Sequence, residues 1–493
     1  MKRVAVVGGG IAGLAVAHAL RARSAPGEIE LAVYEKNGRC GGNIRSEQIG
    51  GFLCEWGANG FLDSSPQTLE LVRDVGLQPR LLPSNDAARR RFIFRDGRLH
   101  AVPGAPLDFL RSSLLSWHGK LRVMVEPFAG KRPATDETIH EFASRRIGRE
   151  AADIMIDAMV SGIFAGDARR LSLRACFPKM WDMETEYGSL VKALVAKQWR
   201  KRRTRVNGSG DALGSPVGTL TSFPGGIEEL PRALVTSLAG SVHVNASVRR
   251  LEVQQGRFRL TFAGRSNDDA DAVVLAGPAY DSAVLVAPFD DDLAVMLADI
   301  DTAPIVVTCL GYDAGTVERE RGRLDGFGFL VPRGQGPRVL GVLWDSSIYP
   351  HRAPRWAVSL RVMLGGAHDR AAANLTDAEL LRIVRADLAQ TMRLRSDPAF
   401  VKIIRHRHGI PQYTTGHLER LAAIEARLAR IPGLFVAGNA YRGPAINACI
   451  ADAGRVADHV LADLRSRVGV SAARASRMFL PSADRTPDHQ SST

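Results

Sequence analysis

The sequence has no run of eighteen or more apolar residues. Its greasiest stretches, such as 272–288, are broken by Gly, Pro or charge, so a membrane-spanning helix is not expected. Cysteine is scarce: Cys40, Cys54, Cys176, Cys309 and Cys449 show no C-x-x-C spacing. That argues against a zinc site or a disulfide scaffold and predicts reduced, mostly buried thiols, and no metal is expected. A nucleophile with a convincing partner is also missing. His140, His408 and His417 are scattered, and each reads as a structural or surface histidine.

The 493 residues, 45% of them hydrophobic, can bury a large core but exceed one simple domain, which predicts two or three interleaved units. A formal charge of +13 suits nucleic acid, anionic lipid or an acidic substrate alike. Part of the excess lies in Trp199-Arg200-Lys201-Arg202-Arg203-Thr204-Arg205, followed by Gly, Ser and Pro as far as Gly218, the pattern of an exposed loop. No aromatic residues interleave this run, so nucleic acid is not expected. A solvated loop is the preferred reading and anionic lipid the second. Met1-Lys2-Arg3 leads straight into a strand that the first motif needs, so a cleavable leader is not expected and a cytoplasmic location is.

Residues 3–8 have the apolar pattern of a strand, 8–13 a glycine-rich turn, 11–23 a helix and 30–34 a second strand ending at Glu35, a βαβ opening. From about 98 to 182 the pattern is mostly helical. Strands are predicted at 242–244, 248–253, 258–262 and 272–276, and a second, antiparallel sheet between 305 and 363. A helix is predicted at 377–392, a strand at 433–438 and a closing helix at 445–465, with a disordered tail from 468.

The chemistry-bearing stretch nearest the N-terminus is Gly8-Gly9-Gly10-Ile11-Ala12-Gly13 between strand and helix, with Glu35 ending the next strand. Such glycines let the backbone turn tightly against a pyrophosphate, the helix N-terminus offers unpaired N–H groups to its charge, and Glu35 would accept from ribose hydroxyls. The alternative is a tight structural turn; the acidic residue about twenty positions on favours the nucleotide site. NAD and FAD both use this arrangement. Gly38-Arg39-Cys40-Gly41-Gly42-Asn43-Ile44-Arg45 follows directly and permits a second close approach, with Arg39 able to neutralise phosphate or line the cofactor; a glycine-rich surface turn is the plain alternative. Near the C-terminus, Gly438-Asn439-Ala440-Tyr441-Arg442-Gly443-Pro444-Ala445-Ile446-Asn447 reads as strand, loop and a helix beginning at proline, whose positive end could face a flavin; a capping loop without a ligand is its alternative.

The 38–45 stretch resembles the second nucleotide signature of the flavin amine oxidase superfamily, and Glu55-Trp56-Gly57-Ala58-Asn59-Gly60 stands where that superfamily passes backbone beside the isoalloxazine ring. Within it, the chain resembles the oxygen-dependent protoporphyrinogen oxidases from residue 3 to about 465. The likeness is carried by Asp136-Glu137-Thr138-Ile139-His140, Ser161-Gly162-Ile163-Phe164-Ala165-Gly166-Asp167, Leu171-Ser172-Leu173, Cys176-Phe177-Pro178, Pro224-Gly225-Gly226 and Gly409-Ile410-Pro411-Gln412-Tyr413 with Gly416-His417.

The resemblance implies an α/β fold: a discontinuous Rossmann-like FAD-binding domain (1–88, 218–277 and 402–467), an antiparallel-sheet substrate domain (89–97, 183–217 and 278–401), a helical, membrane-contacting region (98–182) and the tail 468–493. It implies FAD contacts from Gly8, Gly9, Gly10, Ile11, Ala12, Gly13, Glu35, Lys36, Arg39, Gly41, Gly42, Asn43, Gly57, Ala58, Asn59, Gly60, Val248, His406, Gly438, Pro444, Ala445 and Ile446. Arg91 matches the arginine that holds a substrate propionate, and Gly328 the glycine whose carbonyl orients the macrocycle. Phe327 and Leu330 are its apolar neighbours, Met363 the methionine near the flavin, and Gly162, Phe164, Ala165 and Gly166 the turn lining the cavity. His406 stands where many relatives carry tryptophan, and Pro444 where valine is common.

The implied reaction is three rounds of oxidation of a porphyrinogen in haem biosynthesis, with oxygen reduced to hydrogen peroxide. The substrate pyrrole nitrogen assists loss of hydride to the flavin, so no side-chain base is needed. The implied partners are a tetrapyrrole, molecular oxygen, a membrane touched peripherally on its inner face, and a second copy in a homodimer. Three alternatives stand beside this reading: a coproporphyrinogen oxidase of the same fold, an amine oxidase, and a flavin-free binding protein like the GDP-dissociation inhibitors.

Overall fold

A computed structural model describes residues 1–130, 135–193, 195–196 and 218–478, so the basic run at 199–205 and most of the loop after it lie outside the described residues. Five parallel strands form one sheet in the order Val242–His243, Ile29–Tyr34, Lys2–Val7, Ala272–Leu275, Leu434–Val436. Side chains alternate across it with the two-residue period of a strand. Val4, Val6, Val33, Ala272 and Val274 join a core with the helices Ile11–Arg23 and Ile446–Met478, while Ala5, Ala32, Tyr34, Val273 and Leu275 join a core under the antiparallel strands Val248–Gln254, Arg257–Phe262 and Asp268–Ala270. The first and last parts of the chain therefore share one sheet and one core, as a discontinuous nucleotide fold requires.

The second large sheet has seven strands in the order Phe400–Pro411, Thr302–Asp313, Ala357–Gly365, Gly341–Leu343, Gly328–Leu330, Arg91–Arg95, Arg98–Ala101. Every pairing is antiparallel except Gly328–Leu330 with Arg91–Arg95. Its far face buries Phe94, Val306, Phe329, Val342 and Val362 beneath the helix Asp377–Met392, which opens with a Thr376/Glu379 capping box. Strand Phe400–Pro411 lies across the boundary drawn at 402, and the boundary at 98 falls between the paired strands Arg91–Arg95 and Arg98–Ala101.

Two local expectations differ from the structure. Residues 98–101 are a strand, because Asp96 (φ 51°) and Gly97 (φ 76°) form a hairpin turn of the type that Asp-Gly favours. The tail expected to lose structure from 468 instead continues the closing helix to Met478, in a stretch rich in the helix formers Ala and Arg. Helices between Pro106 and Tyr187 make up the third unit, with their own core of Ile139, Phe142, Val160, Phe164 and Leu173. No helix among the described residues is long and apolar enough to cross a membrane.

Candidate functional site

The first glycine turn is built so that side chains would not fit. Gly8 has φ +114°, and a Cβ there would lie 2.8 Å from the Gly277 nitrogen; one on Gly13 would overlap the Gly8 carbonyl. Gly10 faces open space and caps the helix Ile11–Arg23, which has no side-chain cap and no acid in its first turn, so Ile11 and Ala12 open a helix with uncompensated N–H groups. Glu35, nearly buried, accepts from the Gly9 N–H at 2.8 Å and from the Asn37 backbone and side chain at 2.9 and 2.7 Å. The second turn lies directly against the first: the Gly41 N–H donates to the Gly9 carbonyl at 2.7 Å, and Gly42 would bring a Cβ to 3.4 Å from the Gly10 Cα.

Some expected contacts are directed elsewhere. Arg39 donates to the carbonyls of Cys40 (2.9 Å), Gly42 (2.7 Å) and Ile44 (3.1 Å) and pairs with Glu228 at 3.7 Å, so it braces its own glycine loop. Lys36 reaches Asp281 at 2.7 Å. The Asn43 side chain is exposed, and Val248 packs beside the core that contains Tyr34.

The Glu55–Gly60 strip is held by arginines of the seven-stranded sheet and its flanking turn, which sequence reasoning missed. Arg352, completely buried, pairs with Glu55 at 3.0 Å and donates to the Asn59 carbonyl at 3.1 Å and to its side chain. Arg361 donates to the Gly57 carbonyl at 2.9 Å and pairs with Asp345 at 3.3 Å. His406 donates its Nε2 proton to the Trp56 carbonyl at 2.8 Å, and burial keeps its pKa below the ordinary histidine value despite that bond. Gly57 abuts the Asn43 carbonyl, Ala58 packs on the first core, and a side chain on Gly60 would overlap the Thr221 carbonyl.

The C-terminal stretch closes the same site. Gly438 has φ +131° and Gly443 φ +128°. The helix begins at Ile446, with its first turn bond from Cys449 to the Ala445 carbonyl at 3.0 Å, so Ala445 is the cap and Pro444 precedes it instead of opening the helix. Asn447 donates to the Leu62 carbonyl at 2.9 Å and accepts from Thr68 at 2.9 Å, which ties the two ends of the chain together.

The near face of the seven-stranded sheet follows from register. Arg91 pairs with Gly328, and Leu330 lies opposite Gly341, which pairs with Met363; Gly365, two residues on, meets Ile305, whose other partner is His406. With a period of two, these residues share the face opposite the core. Arg91 is half-buried, its guanidinium 5.2 Å from the Phe327 ring, and burial alone lowers its pKa, with no carboxylate paired to it among the described residues. Gly162 approaches so closely that a Cβ would sit 2.8 Å from Leu330 Cδ2. Ala165 is left-handed (φ 46°) and accepts from the Ala367 N–H at 2.7 Å, while Gly166 leaves no room beside Leu171 and Gln412. Phe164 is 3% exposed and turns into the helical core against Phe177, so its ring is packing rather than cavity wall.

The glycine cradle, the uncapped helix start and the carboxylate of Glu35 fit a dinucleotide, and the half-buried, partly apolar sheet face fits a larger organic partner. Comparison with known proteins decides the kind. A family profile described as "Flavin containing amine oxidoreductase" matches residues 11–461. The chain belongs to this family. Human protoporphyrinogen oxidase is 34% identical over 484 residues, covering 93% of this chain and 98% of the human one. The coproporphyrinogen III oxidase of Bacillus subtilis (strain 168) is 28% identical, covering 92% and 97%. A crystal structure from Exiguobacterium sp. 255-15 superposes with a TM-score of 0.79 at 26% identity, covering 94% of this chain and 99% of that one. This family member is a flavin-dependent oxidoreductase that uses FAD, and the reading as a flavin-free binding protein falls.

Proposed function

We propose that the chain oxidises protoporphyrinogen IX to protoporphyrin IX in haem biosynthesis, with FAD as hydride acceptor and oxygen as final oxidant. The observation that carries this reading is Arg91: a cation without a carboxylate partner among the described residues, beside Phe327, on a sheet face of Gly328, Leu330 and Met363. An amphipathic tetrapyrrole with carboxylate arms needs that combination of apolar wall and fixed positive charge.

Bound FAD supplies the electron sink. Gly8 to Gly13, Gly41 and Gly42 would bring backbone to its pyrophosphate and Glu35 would hold its ribose, with Arg39 and Lys36 supporting the surrounding loop. Gly57 to Gly60, His406 and the segment from Gly438 to Ile446 would hold the flavin end. Arg91 would anchor a propionate, and the Gly328 carbonyl, Leu330 and Met363 would orient the substrate and exclude water. Three two-electron rounds remove six hydrogens and convert three oxygen molecules to three of hydrogen peroxide.

The coproporphyrinogen reading is supported by the Bacillus relative. Anaerobically prepared proto- and coproporphyrinogen, each followed by the red fluorescence of its porphyrin product, separate the two. Faster turnover of coproporphyrinogen overturns the proposal.

The division into FAD, substrate and helical units is part of the proposal, as is peripheral membrane contact through the helical unit. Leu107 (67% exposed), Trp117 (60%) and Phe128 (86%), with Met124 and Val125, put bulky apolar side chains into solvent within one short stretch of chain.

A further inference from the structure

The segment Gln412–His417 joins all three parts of the molecule. Tyr413, 1% exposed, donates its hydroxyl proton to the Asn439 carbonyl, and the same oxygen accepts from the Gly443 N–H at 2.7 Å. His417, fully buried, stacks on the Tyr413 ring at 4.2 Å and 16°, and its Nε2 donates to the Tyr441 carbonyl at 3.0 Å. Two side chains thus hold three alternate backbone groups of the loop between Gly438 and Pro444, which contains two glycines at positive φ and has little regular structure of its own. On the other side, the Tyr413 carbonyl accepts from the Ser172 N–H at 2.8 Å, and Asp136 accepts from the Ser172 hydroxyl (2.9 Å) and the Gly416 N–H (3.2 Å). Gln412 donates to the Phe164 carbonyl at 2.9 Å.

We propose that Tyr413 is a positioning residue for the flavin-facing loop: its hydroxyl fixes Asn439 and Gly443, His417 backs its ring, and through Ser172 and Asp136 it makes the flavin environment depend on the packing of the helical unit. This rests on the reading of 438–446 as a flavin-flanking segment. A part-buried carbonyl and N–H both lose their partner when the hydroxyl goes, and a loop so released shifts by more than one bond would suggest, because nothing else among the described residues holds those two groups.

The test uses purified holoenzyme of the wild type, Tyr413→Phe and Asp136→Ala. Tyr413→Phe keeps the ring and the stack. Its expected result is an FAD dissociation constant raised about tenfold, with altered shape of the visible flavin bands and an unfolding midpoint close to wild type. Asp136→Ala, which removes bonds to Ser172 and Gly416 and none to the loop itself, shifts the same two readouts in the same direction by less, and carries the test alone should Tyr413→Phe not fold. FAD affinity and band shape identical to wild type in both variants overturn the proposal. A wild-type protein that is colourless and takes up no FAD sinks the flavin reading itself, a different outcome from the first.

Discussion

Arg352 and Glu55 meet as an ion pair, Nη2 to Oε1 3.0 Å, with neither side chain accessible to solvent. Glu55 ends the strand Phe52–Glu55 that leads into the ring-flanking strip, whereas Arg352 sits in a turn before the seven-stranded sheet's strand Ala357–Gly365. Their pairing fixes one unit against the other, and the Arg352 Nη groups also donate to Asn59 and Ser222. Removing one member of a buried pair leaves a bare charge, whereas removing both leaves none. Arg352→Met is therefore expected to lose about 3–5 kcal/mol, and Arg352→Met with Glu55→Met to regain much of it. Urea unfolding of the three proteins measures this; a single variant with the wild-type midpoint contradicts it.

In the proposed reaction the Arg91 contact with a propionate would be nearly uniform from bound substrate to transition state. Arg91→Ala is expected to raise KM by about tenfold or more while kcat changes little, and Arg91→Lys to fall between. Steady-state rates at several porphyrinogen concentrations decide it, and an unchanged KM excludes the propionate role.

Glu126 anchors the helical unit and makes that anchor sensitive to acid. Burial opposes its ionisation, but bonds from Ser189, Leu190, Val191 and Arg146 outweigh it and hold the carboxyl below its usual range. A depressed folded value means that its contribution is complete above the ordinary carboxylate pKa and is lost as pH falls through the lower folded one. Glu126→Gln is expected to cost about 3 kcal/mol at neutral pH and to flatten the acid limb of stability. Unfolding midpoints from pH 7 down to 3 provide the check, and parallel curves for the two proteins would exclude the assignment.

The apolar stretch around Trp117 and Phe128 predicts vesicle binding that survives salt, since burial of rings rather than charge drives it. Trp117→Ser with Phe128→Ser is expected to weaken partitioning onto neutral vesicles at least tenfold. Sedimentation at low and high salt separates this from the electrostatic behaviour expected of the basic run at 199–205.

Much of the fold was legible because hydrophobic period and glycine spacing are local signals. The helix Ile11–Arg23 and the helix Asp377–Met392 match their predicted bounds, and the strand–turn–helix start is clear from six residues. What escaped depended on distant partners or on weak local cues. Nothing near Arg352 tells of Glu55, 297 positions away, and nothing near Tyr413 tells of Gly443. Arg39 reads from sequence as able to neutralise phosphate or line the cofactor, and its bonds to three nearby carbonyls, which bring it to brace the glycine loop, carry no local sequence signal. Asp96-Gly97, by contrast, was a readable hairpin signal hidden by the helical pattern after it.

The parallel sheet needs Leu434–Val436 as its edge strand, and the helix after it packs on the helix that follows the first glycine turn. Arg465 reaches back to Glu28, and Arg23 to Asp458. A ribosome making about 5–20 residues per second therefore spends tens of seconds between emitting the opening strand and emitting its last neighbour. During that interval the nascent N-terminal half exposes an unfinished sheet edge, so the nucleotide cradle is expected to be complete only after the C-terminal segment has emerged.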